Sequence, residues 1–386
     1  MKVYLDYAAT TPLDPMVLEA MKPYFYKKFG NSMSLHSWGL EAKKALEDSR
    51  ETVARFMSAN PEEVIFTGSA TESINFVIKG IAFANKEKGK HIITSAIEHH
   101  AVLESCKWLE KQGFEVTYLP VDKYGLVDLE KLKKSIKNNT ILVSIMHANN
   151  EIGTIEPIEE IGRICKEKDI LFHTDAVQSF GKLPIDVEKM NIDLLSLSAH
   201  KFYGPKGVGA TFVRKGTNID PLLHGGGHEF GLRSSTENIA GVVGLAEAVR
   251  LRTKEMKSEA IKLTKLRDHL IKNVLKIENS HLNGHPIKRL PNNANFWFAF
   301  IEGEALIIQL DSCGIAASTG SACSSATLEP SHVLQAIGLK HEEAHGSLRL
   351  SLGKYTNKTE IDYTIKTLPK VVENLRKVSP FKGKWK

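Results

Sequence analysis

Cysteine is scarce in this 386-residue chain: there are four, at positions 106, 165, 313 and 323, with no CxxC pair and no even framework of close spacings. That usage excludes a disulfide scaffold and a structural zinc site and points to a reducing compartment. Long apolar runs are missing too, none approaching the ~18 residues of a membrane span. The N-terminus, MKVYLDYAATTPLDP, carries Asp6 and no apolar stretch of signal-peptide length. A cytoplasmic protein with no membrane partner is expected. Neither sign of charge dominates: 51 Lys plus Arg against 45 Asp plus Glu give a net +6, too mild for the dense basic stripe of a nucleic-acid binder. No direct nucleic-acid partner is therefore expected. No internal repeat of roughly 20 to 50 residues and no low-complexity segment is present, which removes solenoids and propellers. What remains is ordinary globular usage, 42% hydrophobic and 25% charged, in a chain long enough for two or three domains.

From about residue 60 to 215, short β-rich runs (EVIFT, HIITS, EVTYL, TILVSIM, ILFHTD, DLLSLSA, GATFV) alternate with amphipathic helical stretches such as LEDSRETVARFM, VLESCKWLEKQG and IEEIGRICKEK. Such alternation predicts βαβ units and a mainly parallel sheet, an α/β fold. After HGGGHEFGLRSSTEN, a Lys- and Glu-rich helical region runs from about 239 to 278, followed by NNANFWFAFI and SLRLSLG. The composition shift sets a domain boundary near residue 257. A large domain over 15–257 is expected, with 1–14 and 258–386 forming a smaller α+β domain.

The most informative stretch is residues 171 to 209. LFHTDAVQS ends an apolar strand in Asp175, and LLSLSAHKFYGPKGVG ends another in Ser198, His200 and Lys201. Ligands of open α/β sheets bind beyond the carboxyl ends of strands, where this acid and this lysine both fall. A lone lysine there is usually a solvated loop residue. The acid changes that weighting, because a pyridoxal 5′-phosphate site needs a lysine for the Schiff base and a carboxylate to keep the ring nitrogen protonated. VIFTGSATESINFVIKG supplies a phosphate cradle: a strand, a small-residue turn over Gly68 to Thr71, and a helix N-terminus with free N–H groups. The plainer reading of that turn is a helix cap by Ser69 or Thr71. His99, after the strand HIITS, is placed to stack on an aromatic ring, and Asn150 and Gln178 carry amides able to bond its phenolic oxygen.

LDYAATTP, SATES, EHHAVL, HANNEIG, HTDAVQS, SAHKFYGPKGVG, GGGHEFGLRS and STGSACSS occur in this order along the chain. In this it resembles the cysteine desulfurases of the NifS/IscS class, over nearly its whole length. The resemblance implies a fold-type-I, aspartate aminotransferase-like enzyme that uses pyridoxal 5′-phosphate to convert L-cysteine to L-alanine and holds the sulfur as a persulfide on Cys323. By position, Lys201 looks like the Schiff-base lysine, Asp175 the ring-nitrogen partner and His99 the stacking residue. Ala70, Thr71, Ser198 and His200 match phosphate contacts, and Asn150 and Gln178 match the residues on the cofactor's hydroxyl side. Thr236 matches a phosphate contact from a second subunit, so a homodimer is implied. Asn31 and Arg349 sit on the substrate side, with Arg349 suited to the carboxylate. The resemblance implies an IscU-like Fe–S scaffold protein as sulfur acceptor and tRNA-thiolation enzymes as others. It implies no catalytic metal, and Cys323 as a transient Fe–S ligand shared with the scaffold.

ASTGSACSSATLEPS has no apolar periodicity around Cys323 and reads as an exposed mobile loop over about 318–330, whereas Cys106 and Cys165 lie in amphipathic helical patterns. DSCGIA puts Cys313 at an element end. The turn Gly68-Ser69 stands where the family more often has Ser then Gly, and Ser32-Met33 replaces a common Pro and small residue. The stretch from Arg376 to Lys386, with five basic residues and no acid, reads as a solvated tail. A selenocysteine lyase, a related aminotransferase, or a silent sulfur-carrier or scaffold-binding protein stays open as an alternative.

Overall fold

The structure is a computed structural model and describes residues 1–319 and 330–379. The strands among the described residues are β1 Val3–Tyr4, β2 Val64–Thr67, β3 His91–Ser95, β4 Glu115–Leu119, β5 Thr140–Ser144, β6 Leu171–Asp175, β7 Leu194–Ser198, β8 Gly209–Val213, β9 Ser280–Asn283, β10 Asn293–Phe298, β11 Ile315–Ala316 and β12 Ser347–Ser351. Every one of the seven β-rich runs read from the sequence becomes a strand of one seven-stranded sheet, ordered β2-β8-β7-β6-β5-β3-β4. Only β8 is antiparallel to its neighbours β2 and β7; the pairs β7-β6, β6-β5, β5-β3 and β3-β4 are parallel.

The inner strands read as continuous apolar runs because both faces of the sheet are covered. Successive residues alternate between two cores. Val143, Phe172 and Leu195 face the side packed by Leu46, Val53, Ile161 and Leu245. Leu142 and Leu194 face the other, against Phe76, Val77, Val102 and Leu109. A third core gathers Phe296, Phe298, Leu348 and Leu350 of the antiparallel sheet β12-β10-β9 with Leu263, Leu270, Leu368 and Val372. The helix Ile239–Val274 serves two of these cores, giving Val242 to Val249 to the first and Leu263, Leu270 and Val274 to the third. It is continuous through residue 257 and stops four residues before the predicted 278.

Two local outcomes follow from chemistry near the sheet ends. Cys106 and Cys165 are fully buried helix residues, as their patterns predict, and Cys313 is half-buried at the end of the helix Gly303–Ser312. The predicted solvated tail is corrected at its start. Arg376 belongs to the helix Lys358–Val378 and donates to the carbonyls of Ala299 (3.1 Å) and Asn279 (3.2 Å), because a long guanidinium reaches carbonyls that end neighbouring elements. Residues 320–329, which include Cys323, and residues 380–386 lie outside the described residues.

Candidate active site

The carboxyl ends of the parallel strands converge on a cavity of about 270 Å³. Asp175 is the last residue of β6, and Lys201 lies one short turn beyond β7. Lys201 Nζ donates to the carbonyls of Ala8 and Ala9, each at 2.8 Å. The N-terminal segment is clamped there by further bonds: Thr11 donates to His200 O through its N–H (3.0 Å) and its Oγ1 (2.9 Å), and Gln178 Nε2 donates to Ala8 O at 3.0 Å. Burial raises the Asp175 carboxyl to about 6, against the lowering effects of the Val177 N–H (2.9 Å) and the Lys201 charge. With Val177 N–H and Lys201 both favouring the charged form, the carboxylate predominates at neutral pH.

β2 delivers the anion cradle to the same rim. Thr67 pairs with Gly209, and Gly209 with Ser198, so the turn after β2 lies beside the end of β7. Gly209 is required: a Cβ there would lie 2.6 Å from Leu197 O and 3.0 Å from the Ser69 carbonyl carbon. Ser69 is the N-cap of the helix Ala70–Ala84, its side chain accepting from Glu72 N–H at 3.1 Å. With the cap spent on Glu72, the N–H groups of Ala70 and Thr71 at the first two helical positions have no intrahelical acceptor, and both residues line the cavity. Ser69 is extended (φ −170°), so the Gly68-Ser69 order creates no left-handed requirement. Glu72 ties the turn down, accepting from Gly68 N–H (2.9 Å) and Arg233 Nε (2.8 Å).

His99 caps the helix His100–Glu110, its Nδ1 accepting from Ala101 N–H at 3.0 Å. Burial, then the nearby Lys201 charge, pushes its imidazole down to about 4, so the ring is neutral with its proton on Nε2. Arg349, on β12, is clamped from two sides: Nη1 donates to Asn150 O and Nη2 pairs with Asp6, both at 2.9 Å. Its Nε is buried with no hydrogen-bond partner among the described residues.

The class-V aminotransferase family model matches residues 3–364. The chain belongs to that family. A protein of Dictyoglomus turgidum named cysteine desulfurase IscS is 57% identical over 386 residues, 100% of this chain and 98% of the relative. Among solved structures, a NifS-like protein is similar with a TM-score of 0.92 at 44% identity, covering 97% of this chain and 100% of its own. A structure described as SspA in complex with cysteine has a TM-score of 0.82 at 40% identity, covering 92% of this chain and 100% of its own.

In this class-V chain the residues singled out from the sequence gather closely. Ala70, Thr71, His99, Asn150, Asp175, Gln178, Ser198, His200, Lys201 and Arg349 all line the one cavity. Asn31 and Thr236 do not. Asn31 is exposed, its side chain accepting from Met33 N–H at 2.9 Å, while the neighbouring Ser32 is buried and donates to Glu237 at 2.7 Å. Thr236 is exposed. Sequence reasoning gave no part to Ala8, Ala9 and Asp6, which hold Lys201 and Arg349. The only local signal for them is the small pair Ala8-Ala9, which lets a backbone approach closely.

Proposed function

We propose that this chain is a cysteine desulfurase that uses pyridoxal 5′-phosphate to take sulfur from L-cysteine, releasing L-alanine and leaving a persulfide on Cys323. The observation that carries it is that Lys201 and Asp175, at neighbouring strand ends, line one cavity with a neutral His99 and with Ala70 and Thr71, whose N–H groups have no intrahelical acceptor. This donor set fits the cofactor. Ala70, Thr71, Ser198 and His200 would hold its phosphate, Asp175 its ring nitrogen, Asn150 and Gln178 its hydroxyl side and His99 its ring face; Lys201 would anchor it. When bound, it supplies an electron sink for charge developing on the substrate Cα.

The protein's own groups do the rest. Arg349 lines the cavity in a geometry fixed by Asp6 and Asn150, so a substrate carboxylate meets a preoriented guanidinium. Lys201, once its amine is free, is the base beside the substrate Cα and returns a proton to the alanine product. His99, neutral and capped on Nδ1, has only its Nε2–H to offer, a donor rather than a base. The Cys323 thiolate attacks the substrate sulfur: an S–S bond forms, the C–S bond breaks, and a proton completes the methyl group of alanine.

Thr236 is assigned to the cavity of a second copy in a homodimer. Support comes from its exposure here and from a run of exposed apolar side chains, Phe25, Tyr26, Phe29, Leu35 and Trp38, that a second copy would cover. Asn31, in the same run, is placed with the substrate site. The division into a large part (15–257) and a small one (1–14 with 258–386) is supported by the separate apolar clusters on either side of the long helix. The sulfur acceptors assigned are an IscU-like Fe–S scaffold protein and tRNA-thiolation enzymes, in the cytoplasm. No helix among the described residues is long and apolar enough to cross a membrane.

The test is incubation of the purified chain with L-cysteine alone. Alanine and a protein persulfide are expected without any keto acid; a keto-acid requirement would make the chain an aminotransferase instead.

A further inference from the structure

Behind the cavity that holds Lys201 lies a second lysine that the desulfurase chemistry leaves without a role. Lys182 follows the end of β6 across two successive turns, is half-buried, and donates from Nζ to Gln178 O at 2.9 Å. Gln178 in turn donates to Ala8 O, the carbonyl that also takes a hydrogen bond from Lys201. The two lysines line a second small cavity of about 10 Å³, with room for about one water. Gly181 fixes the approach. It is left-handed (φ +73°), and a Cβ there would lie 3.0 Å from both Phe202 and Arg252.

The charges facing Lys182 come from every element packed around it. Arg252 and Glu259 reach in from the helix Ile239–Val274, Lys201 and Tyr203 from the segment after β7, and Tyr7 from the N-terminal segment. His200 feels both lysines, and Asp175 and His99 feel Lys201. Glu259 is the carboxylate nearest to serving Lys182, but it is ion-paired with Arg252, which also holds Glu255, and it accepts from Tyr203 OH at 3.2 Å. Two ammonium groups in so small a space repel, and the one with fewer acceptors yields first. Lys201 has two carbonyls and Lys182 one.

We infer that Lys182 is a positioning residue that trades its charge with Lys201: the two lysines line one small cavity that holds a single ammonium, carried by Lys182 whenever Lys201 is neutral. Burial and the Lys201 charge together push the Lys182 amine down to about 7, consistent with that exchange. The inference rests on Lys201 being the amine that the reaction uses. When Lys201 takes a proton from substrate, Lys182 releases one to the cavity water and so to solvent; when Lys201 gives its proton up, Lys182 recovers one. The site's charge then stays constant while its base cycles.

The experiment is trace acetylation of the full-length, cofactor-free chain with acetic anhydride across a pH series, reading Lys182 modification by mass spectrometry. In the wild type the midpoint for Lys182 is expected near 7. In Lys201→Met and Lys201→Gln, which remove the neighbouring charge, it should rise by about one pH unit or more, a ~10-fold drop in free amine at fixed pH. Lys201→Arg keeps the charge and should keep the low midpoint. Gln at 201 retains a donor for the Ala8 and Ala9 carbonyls, so a folding defect in the Met variant leaves the comparison intact. An unmoved midpoint in the neutral variants, or an ordinary lysine midpoint in the wild type, overturns the inference. No turnover is read, so failure of the desulfurase assignment would appear separately, as absent alanine.

Discussion

Lys201 and Gln178 donate to the same oxygen, the Ala8 carbonyl, at 2.8 and 3.0 Å. That oxygen lies 193 residues away in sequence from Lys201 and 170 from Gln178. It aims a flexible four-carbon stem at one point of the cavity, limiting the orientations that Lys201 must lose before it reacts. The positioning also identifies what the lysine contributes to stability, as distinct from chemistry.

Lys201→Ala is expected to lower alanine formation more than ~10³-fold, the scale on which removing a covalent catalytic group acts. The fold should survive. The Ala8 carbonyl keeps Gln178, and the loss of two hydrogen bonds at a half-buried site should cost about 1–2 kcal/mol in a denaturant titration. Wild-type turnover in this variant would remove Lys201 from the mechanism.

Asp175→Asn is expected to lose most turnover at every pH, because an amide cannot hold a ring nitrogen protonated. In the wild type the carboxyl, raised by burial to about 6, must be ionised to act. The rate should therefore fall as pH drops through the carboxyl's midpoint, tenfold per unit below it. A cationic ring beside Asp175 favours the carboxylate, so in the loaded enzyme that midpoint lies at or below about 6. A pH–rate profile of wild type against variant checks both statements; an acid limb that persists in Asp175→Asn would belong to another group.

How much of this was legible in the sequence depends on the range of the interaction. The seven sheet strands were readable because burial on both faces demands apolar residues at every position, and the strand-end residues Asp175 and Lys201 follow from where parallel strands stop. β9 was not, since Ser280–Asn283 is a polar edge strand with no alternation to read. The Ser69 cap was one of two candidates, and only the bond to Glu72 decides between Ser69 and Thr71. The clamps on Lys201 and Arg349 were invisible because backbone carbonyls carry no sequence signal and Asp6 is distant in the chain. Asn31 and Thr236, given site roles by the resemblance alone, lie away from this cavity, which no local pattern could have told.

The loop around Glu229 offers a test of stability. Arg50 donates to both Glu229 carboxylate oxygens, at 2.8 and 2.9 Å, and Glu229 also accepts from Phe66 N–H at 2.7 Å, all in the core. Glu229 is left-handed (φ 48°), a conformation held by these bonds. Glu229→Ala should cost about 3 kcal/mol by leaving the buried guanidinium with only the half-exposed Glu47 carboxylate, at 3.2 Å, as an ionic partner. The double variant Arg50→Met/Glu229→Met should recover part of that loss. Chemical denaturation of the three proteins decides it, and equal losses in the single and double variants would deny the pairing.

Glu156 gives a pH-dependent stability of known sign. It is buried, Oε2 accepts from Val127 N–H at 3.0 Å, Oε1 has no partner, and burial raises its carboxyl from 4.5 to about 8. A folded-state value above the unfolded one means that the stabilisation is full below about 4.5 and is lost as pH rises to about 8. Glu156→Gln removes this titration. Relative to wild type, the variant should gain up to ~1.4 kcal/mol per pH unit across that window and no more beyond it. Parallel pH–stability curves would show that Glu156 does not titrate there.

Cys323→Ser separates cofactor chemistry from sulfur chemistry within one protein. A serine hydroxyl cannot accept a sulfane sulfur, so the variant should bind its cofactor normally, yet form no protein persulfide and little alanine. The other thiols should not rescue it. Burial pushes Cys106 up to about 12 and Cys165 higher still, which leaves almost no thiolate at neutral pH, and both are sealed inside helices against the sheet. Cys313 is half-buried at a helix end, where Tyr363 OH donates to its carbonyl at 3.0 Å, fixing the backbone that carries the thiol. The measurement is mass spectrometry of each single Cys→Ser variant after brief exposure to L-cysteine, reading a ~32 Da addition as a persulfide sulfur. Wild type and the Cys106, Cys165 and Cys313 variants should gain it, and Cys323→Ser should not. A Cys323→Ser protein that still gains the mass, while another variant loses it, would move the nucleophile to that other cysteine; a gain or an absence common to all the variants would remove cysteine persulfide formation from the mechanism.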